Sequence, residues 1–506
     1  MKIWRSPQIE QWDRESCAKQ NISSVELMYR AASRWTTAFT QKYSLRYRCI
    51  LFIGPGNNGG DGLVVAMLLD KLGYEVEIVA GDQEVAKSKD ARFYYDEVRA
   101  MTSIKIVHWC HFEKDQDFDK STVLIDGLFG IGLSRPLSGI YKDMVLWVNG
   151  TSLPIAAIDI PSGLFADKET PRDAHIVCAN DTWTFEIPKA SLFFSENSRY
   201  VGNLSVVSIG LSPDMLKGES AQCDYVDIQL IRKWLFPVHS FSHKGSKGHA
   251  LVIAGSEGMM GAAILAAKGA LSGGCGLVTS HIPNSYEILM HLSCPEVLVS
   301  VDESNDCFSS VPCLERYSAV AVGPGLGQGS LTVHALETLI EQTHVPMVLD
   351  ADALNIMSEY PDLLKKLPKG SILTPHPKEF ERLLGVCESS WERIEKARFL
   401  AVRGSINILI KGKNSVVVDS SGRWSVNDSG GPVLSKGGSG DVLTGLIVSL
   451  LANGYAPDVA LRMGVWIHGK AGDVFAERGD NQSLNVSDLP QFIGVVWEKL
   501  VNSSSK

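Results

Sequence analysis

Apolar residues along this chain fall in short unbroken blocks, and most blocks are closed by a polar or glycine-rich segment. Cys49-Ile50-Leu51-Phe52-Ile53 runs into Gly54-Pro55-Gly56-Asn57-Asn58-Gly59-Gly60-Asp61-Gly62, and Leu63-Val64-Val65-Ala66-Met67-Leu68-Leu69 follows with a helical pattern. An apolar run that short predicts a strand buried on both faces, and strand, glycine loop, helix is the opening unit of a doubly wound sheet. Two later blocks end alike: Val123-Leu124-Ile125 at Asp126-Gly127-Leu128-Phe129-Gly130, and Ile155-Ala156-Ala157-Ile158 at Asp159-Ile160-Pro161-Ser162-Gly163. In a parallel sheet such ends lie side by side, so Asn58, Asp61, Asp126, Asp159 and Ser162 are expected at one cleft. Any one of these aspartates reads equally well as a helix cap, whereas three such loops in one half point to a site. Ahead of them, Gln8 to Thr36 reads as helix, with a start signal at Ser23-Ser24-Val25-Glu26.

The pattern weakens around Cys223-Asp224-Tyr225-Val226-Asp227 and then resumes, which places a domain boundary near 225 and divides the chain into 1–225 and 226–506. Strand candidates in the second half are Ala250–Ala254, Leu277–Thr279, Ala319–Val322, Met347–Leu349, Ser371–Leu373 and Ile408–Ile410. Their ends are again polar: Gly323-Pro324-Gly325-Leu326-Gly327, Asp350-Ala351-Asp352, Thr374-Pro375-His376-Pro377-Lys378-Glu379 and Lys411-Gly412-Lys413-Asn414-Ser415. This predicts a second α/β layer structure with its own cleft. Asp350 and Asp352 fit turn residues as well as site residues and are not assigned. Near the C-terminus Gly437-Gly438-Ser439-Gly440-Asp441 leads into an apolar helix from Val442 to Leu451. Free N–H groups and the helix dipole make such a start either an anion hole, with Asp441 at its lip as a base, or a glycine-rich turn with Asp441 as the helix cap.

Composition narrows the class of function. Lys+Arg number 48 against 57 Asp+Glu, a net charge of −9, which gives no support to nucleic-acid or anionic-membrane binding. The ten cysteines are scattered with no CxxC, as expected of reduced thiols in a cytoplasmic protein rather than a disulfide or zinc framework. Neither a signal-type h-region at the start nor a membrane-length apolar run is present in the sequence. The oligomeric state is left open; a homo-oligomer is compatible with the sequence.

These motifs, in this order, resemble the bifunctional NAD(P)H-hydrate repair enzymes. The first half is similar to the NAD(P)H-hydrate epimerases through Gly56–Gly62, Asp126–Gly130 and Asp159–Gly163. The second is similar to the ribokinase-like, nucleotide-dependent dehydratases through His243-Lys244-Gly245, Gly323–Gly327, Asp350–Asn355, Thr374–Glu379 and Gly437–Asp441. The resemblance implies a Rossmann-like doubly wound domain at 1–225, a ribokinase-like α/β/α domain at 226–506, and hydrated NADH and NADPH (NADHX and NADPHX) as substrates. It implies epimerisation of the R and S hydrates by the first domain and dehydration of the S hydrate by the second, with ADP converted to AMP and phosphate. Carried over residue by residue, Asp159 is the catalytic and binding carboxylate of the epimerase. Asn57, Asn58, Gly59, Gly60 and Asp61, with Gly130, Ile131, Gly132, Leu133, Ser134, Arg135 and Pro136, contact the dinucleotide. Asn58, Asp126 and Ser162 match potassium ligands, an all-oxygen donor set suited to a hard cation. In the dehydratase, Ala262, Gly325, His376 and Asp441 meet the hydrate. Lys411, Gly412, Lys413, Asn414 and Ser415, with Gly438, Ser439 and Gly440, meet the nucleotide, ADP or ATP, with magnesium, and Asp441 is the base.

The sequence departs from the family pattern at Met259-Met260, at Gly431–Lys436, and at Glu186, where glycine is usual. Lys436 is placed either near phosphate or toward solvent by these residues, and His243 is given no role. A ribokinase-like kinase for a small alcohol, fused to a binding or scaffold domain, is the alternative that the Gly437–Asp441 string alone does not exclude.

Overall fold

The computed structural model describes residues 1–81, 86–115, 118–212, 220–237, 240–479 and 482–502. Ser503–Lys506, expected to fray, lie outside the described residues. The chain splits into two units, Lys2–Cys223 and Asp224–Lys506 with Met1.

In the first unit the block Cys49–Ile53 is β1 (Arg48–Ile53), followed by β2 (Val76–Ala80), β3 (Lys105–His108), β4 (Thr122–Gly127), β5 (Ile155–Ile158), β6 (Asp181–Phe185) and β7 (Asn203–Val207). All pair in parallel in the order β3-β2-β1-β4-β5-β6-β7. The order reverses between β1 and β4, and ligands bind at such a switch point, outside the carboxyl ends of the strands. The N-terminal helical stretch is two helices, α1 (Ser6–Gln20) and α2 (Ser24–Lys42), because Asn21 turns left-handed at φ 51° and ends the first. Ser23 caps α2 by a reciprocal box with Glu26. The glycine motif after β1 is less of a loop than its composition predicts: α3 (Asn57–Lys71) starts inside it, so Asn57 to Gly62 form its first turns.

The second unit repeats that order. Its strands β8 (His249–Ile253), β9 (Leu277–Ile282), β10 (Leu298–Val301), β11 (Ala319–Val322), β12 (Met347–Leu349), β13 (Ile372–Leu373) and β14 (Asn407–Ile410) run parallel as β10-β9-β8-β11-β12-β13-β14. Two antiparallel strands, β15 (Ser415–Val418) and β16 (Trp424–Asn427), continue the sheet beyond β14. Helices α6 (Met260–Ser272) and α11 (Ser439–Ala452) pack against each other, and nearly the whole of α11 is buried. (Between them in the chain lie α7, Ser330–Gln342; α8, Asp352–Glu359; α9, Pro377–Leu384; and α10, Ser390–Gly404; while α4, Lys89–Ala100, and α5, Gly139–Gly150, belong to the first unit.)

The α6–α11 approach depends on small residues. A Cβ at Gly445 would overlap the Ala266 carbonyl oxygen, and one at Gly269 the Val442 carbonyl oxygen. Both obstacles are backbone, so relief requires moving a helix, which in a packed core costs roughly 1–3 kcal/mol. Gly445→Ala is therefore expected to lower the unfolding temperature of the second unit in calorimetry and to leave that of the first unchanged. An unaltered thermogram would refute the close-packing role.

Candidate functional site

At the switch point of the first unit, β5 delivers Asp159 in a left-handed conformation (φ 67°), a strained backbone for a residue with a Cβ. Its Oδ1 accepts from Thr184 Oγ1 at 3.0 Å and Phe185 N at 2.9 Å, and pairs with the Lys189 ammonium, which also donates to Thr184 Oγ1 at 2.9 Å. Lys189 is only 1% exposed, so its charge is held inside the protein by Asp159. Glu186, where the sequence departs from the family's glycine, also has positive φ (57°), which accounts for glycine being usual there. Its carboxylate accepts from Ile209 N at 2.6 Å and Gly210 N at 3.0 Å.

Asp159 and Lys189 line a cavity of about 1000 Å³, at the upper end of the range of small-molecule sites. Asn57, Asn58, Asp61, Gly130, Ile131, Gly132, Leu133, Ser134 and Arg135 line the same cavity. Gly59 and Gly60 do not: they are buried against the Gly54 backbone and the Met28 side chain, and the Gly60 N–H bonds Gly56 O within α3. Their part is to let α3 approach β1 and α2. Pro136 is exposed and is not among the lining residues. Asp13 of α1 joins the cavity, although the sequence offered no motif for it. Burial pushes its carboxyl up to about 6; Lys189 opposes this, while Asp159, Glu10 and Glu186 add to it. Asp61 is raised well above the ordinary range by burial and by the charges of Asp159, Asp13 and Asp90.

Below the cavity, Asp126 and Ser162 form a closed pair: Ser162 Oγ donates to Asp126 Oδ1 at 2.6 Å and Ser162 N to Oδ2 at 2.7 Å. Asp126 is 2% exposed with no cationic partner among the described residues, and burial pushes it up to about 6 against the hydrogen bonds of Ser162 and Leu128. The Asn58 amide lies alongside Gly130, buried, with its Nδ2 unpartnered.

Removing the ammonium from a buried pair leaves an uncompensated charge, a loss of about 3–5 kcal/mol. Lys189→Met is thus expected to destabilise the first unit by that order in thermal unfolding, while activity of the second unit persists. A first unit as stable as the parent would show that the pair is not coupled to folding.

In the second unit, Gly438 takes φ 89° ahead of α11, which places Ser439, Gly440 and Asp441 in its first turn with their N–H groups at the helix start. Asp441 is half-buried; burial and the charge of Asp350 push its carboxyl up to about 6, against the pull of Lys411. Lys411 is no solvated strand end: its Nζ donates to Asp350 Oδ1 at 2.6 Å and lies 3.4 Å from where a Cβ on Gly440 would be. Gly412 and Lys413 form the exposed β14–β15 turn, and Ser415 Oγ bonds Gly412 O at 3.1 Å next to Asn414. His468 of α12 (Pro457–Ala476) donates from Nε2 to the Ser439 carbonyl at 2.9 Å; burial depresses it to about 4, so it is neutral near pH 7. The Lys436 ammonium is drawn away to the Leu484 carbonyl at 2.7 Å, not to the helix start.

Ala262 and Gly325 come together across the β8/β11 switch point, where a Cβ on Gly325 would meet Ala262 Cβ at 2.9 Å. His376 caps α9: its Nδ1 accepts from Lys378 N at 3.1 Å and Glu379 N at 3.3 Å, and its Nε2 is 3.2 Å from Glu379 Oε1. Both ring nitrogens are thereby engaged, so a ligand would meet the ring through its face and exposed edge. The strand-end bond from Lys411 N to Pro375 O, 3.0 Å, sets His376 beside Lys411.

The family described as NAD(P)H-hydrate dehydratase matches residues 250–493, and that described as YjeF-related protein N-terminus matches residues 24–191. The bifunctional NAD(P)H-hydrate repair enzyme of Moorella thermoacetica is 31% identical over 99% of this chain and 97% of its own length. That of Escherichia coli is 31% identical over 96% and 92%. Among solved structures, an ADP/ATP-dependent NAD(P)H-hydrate dehydratase from Bacillus subtilis, co-crystallised with ATP and magnesium, covers 55% of this chain and 99% of its own. It has a TM-score of 0.50 and 30% identity.

Proposed function

The chain belongs to the bifunctional NAD(P)H-hydrate repair enzymes, and on that premise we propose a division of labour in which 1–225 epimerises the hydrates and 226–506 dehydrates the S form. The observation that supports it best is a buried or half-buried aspartate beside a lysine at the carboxyl end of each sheet: Asp159 with Lys189, and Asp441 with Lys411 and Asp350.

In the epimerase, the reacting carbon carries a hydroxyl next to the ring nitrogen, so it inverts by ring opening or through an iminium. Either route needs a proton moved at that hydroxyl. Asp159, held by Lys189, Thr184 and Phe185 N, is the group positioned to move it. Asn57, Asn58 and Asp61 at the start of α3 and Gly130 to Arg135 receive the rest of the dinucleotide, with the free N–H groups of the helix start toward phosphate. The Asn58, Asp126 and Ser162 oxygens suit potassium: Asp126 is a buried carboxylate without a cationic partner among the described residues, and the Ser162 hydroxyl is bonded to it. Bound there, the ion would supply positive charge to hold the Gly127–Gly130 turn against the substrate phosphates.

In the dehydratase, Asp441 takes the proton of the substrate hydroxyl as the terminal phosphoryl group of ADP passes to that oxygen. The N–H groups of Gly438, Ser439 and Gly440, with Lys411, hold the charge that develops. Loss of phosphate, pushed by the ring-nitrogen electron pair, gives an iminium; transfer of a proton from the adjacent ring carbon to the departing phosphate then restores the dihydropyridine, and AMP is left. Ala262, Gly325 and the His376 ring bound the hydrate, and Lys411 to Ser415 the nucleotide. Both Asp350 oxygens are already bonded, and no group of three His, Cys, Asp or Glu side chains placed to hold a metal ion occurs among the described residues. Magnesium therefore fits as an ion carried by the nucleotide's own phosphates, whose charge it neutralises.

The substrates are small molecules, NADHX and NADPHX. All ten cysteines are free thiols, which supports a cytoplasmic location. No helix among the described residues is long and apolar enough to cross a membrane. Incubation with hydrated NADH and ADP is expected to return dihydropyridine absorbance with AMP and free phosphate in equal amounts. Accumulation of a phosphorylated hydrate would instead establish a kinase.

A further inference from the structure

The carboxyl end of β12 carries Asp350-Ala351-Asp352, and the middle residue sits at φ 49°, a positive value for an alanine. A conformation of that kind persists only where its surroundings hold it, and here the two flanking carboxylates do so by reaching opposite ways. Asp352 Oδ2 accepts from Gly327 N at 2.9 Å and Oδ1 from Gln328 Nε2 at 3.0 Å, which fastens the loop that bears Gly325. Asp350, 2% exposed, accepts from Lys411 Nζ on one oxygen and from Thr444 Oγ1 on the other, each at 2.6 Å. Thr444 lies one helical residue set beyond Asp441, on the same face of α11.

We propose that Asp350 is a positioning residue of the dehydration reaction, its two oxygens fixing Lys411 and the first turns of α11 so that ammonium, helix-start N–H groups and Asp441 converge on one transferring phosphoryl group. This deepens the assignment of Asp441 as base and rests on it. A lysine alone is a compact charge on a flexible four-carbon stem. Tied to Asp350, it keeps two further N–H donors for phosphoryl oxygens and loses the freedom to swing away. Thr444 does the corresponding work for the helix, since its hydroxyl joins α11 to the end of β12. The charged groups that act on Asp441 are Asp350 from β12 and Lys411 from β14; Glu379 of α9 faces Lys411 and Asp350, and His468 of α12 faces Ser439 and Lys411. Of these, Asp350 opposes ionisation of Asp441 and Lys411 favours it.

The test uses the full chain with ADP and the S hydrate. Asp350→Asn keeps shape and removes charge. It is expected to lower kcat by about 100-fold, the scale of a reacting group displaced by an ångström, with the KM for hydrate changed less than threefold. The acid limb of its kcat profile moves to lower pH, because the charge that opposed Asp441 ionisation is gone. Thr444→Val keeps the charge and cuts the anchor: kcat falls about tenfold, the scale of one lost hydrogen bond, and the limb stays in place. Asp350→Glu recovers part of the Asn loss. The proposal is overturned by an Asp350→Asn enzyme within threefold of the parent kcat, or by a fallen kcat with an unmoved limb. Should that variant not fold, a folded Thr444→Val with parental kcat overturns it equally. A fully active Asp441→Asn enzyme, by contrast, removes the base assignment underneath and is a different failure.

Discussion

Asp441→Asn is expected to slow the ADP-driven return of dihydropyridine absorbance by about 1000-fold, the middle of the range that a positioned general base contributes. Asparagine has the same shape and the same place in the first turn of α11, so the N–H groups of Gly438 to Gly440 still receive a nucleotide. The loss should then appear in kcat, with the dissociation constant for ADP little changed or slightly improved as one negative charge leaves the site. The same carboxylate predicts the pH dependence of the parent enzyme. It acts ionised, and burial with Asp350 beside it sets its ionisation near 6 rather than in the ordinary carboxylate range. Dehydration should therefore fall about tenfold for each pH unit below about 6. Stability runs the other way. A carboxyl raised on folding stabilises the native state in full below its unfolded value of 3.8, and that contribution is lost as pH rises through about 6. Activity and stability thus trade over the same interval, as expected where a base is kept partly desolvated. A kcat profile flat from pH 8 to pH 5 would take the base role from Asp441.

Much of this arrangement is legible in the sequence because parallel sheets bury both faces of their strands. Runs such as Cys49–Ile53 and Ala319–Val322 therefore stand out as unbroken apolar blocks whose polar ends mark the site side of the sheet. Among the strands that escape notice, β3 and β7, at the two edges of the first sheet, and β10 at an edge of the second carry exposed residues among apolar ones, while β2 and β6 are buried but carry Glu77 and the polar Asp181, Thr182 and Thr184 within their runs. The division of glycine motifs between loop and helix is also hidden, since α3 begins at Asn57 within a stretch whose composition reads as turn.

Site residues follow a different rule. Those in motifs at strand ends could be named, but their partners come from places without local signal. Lys189 follows β6 in a segment without a local signal of its own, and it meets Asp159 because β5 and β6 are neighbours in the sheet. Asp350 reads in the sequence like any turn aspartate; what distinguishes it is its bonds to Lys411 and Thr444, residues far away in the chain. His468 sits in the middle of a buried helix, where a histidine usually reads as core, and only the packing of α12 on the α11 N-terminus gives it the Ser439 carbonyl. His376 stands at a strand end as its motif predicts, and the fold adds what the motif does not show: its ring nitrogens bond the start of α9 and Glu379, while the ring stays partly exposed.

Asp159→Asn is expected to uncouple the two activities in a single assay. With a mixture of R and S hydrates, ADP and the parent enzyme, the whole pool returns to dihydropyridine in one phase, because epimerisation refills the S form as it is consumed. The variant should consume the S fraction at the parental rate and then stall, the R fraction following only as fast as uncatalysed inversion supplies it. The loss in epimerisation is put at about 1000-fold, again the scale of a lost proton-transferring group. Asparagine is the substitution to use. It is among the residues that tolerate the left-handed conformation at φ 67°, and its amide oxygen can still accept from Phe185 N and Thr184 Oγ1. Alanine would leave the Lys189 ammonium buried without any acceptor at Asp159, so a dead enzyme could mean an unfolded one. The fast phase reports the folding of the second unit only, so a stalled second phase isolates Asp159 chemistry when the first unit of the variant unfolds at the parental temperature. A second phase as fast as the parent's would mean that inversion proceeds without it, and the remaining carboxyls of the cavity, Asp13 and Asp61, would then carry the proton.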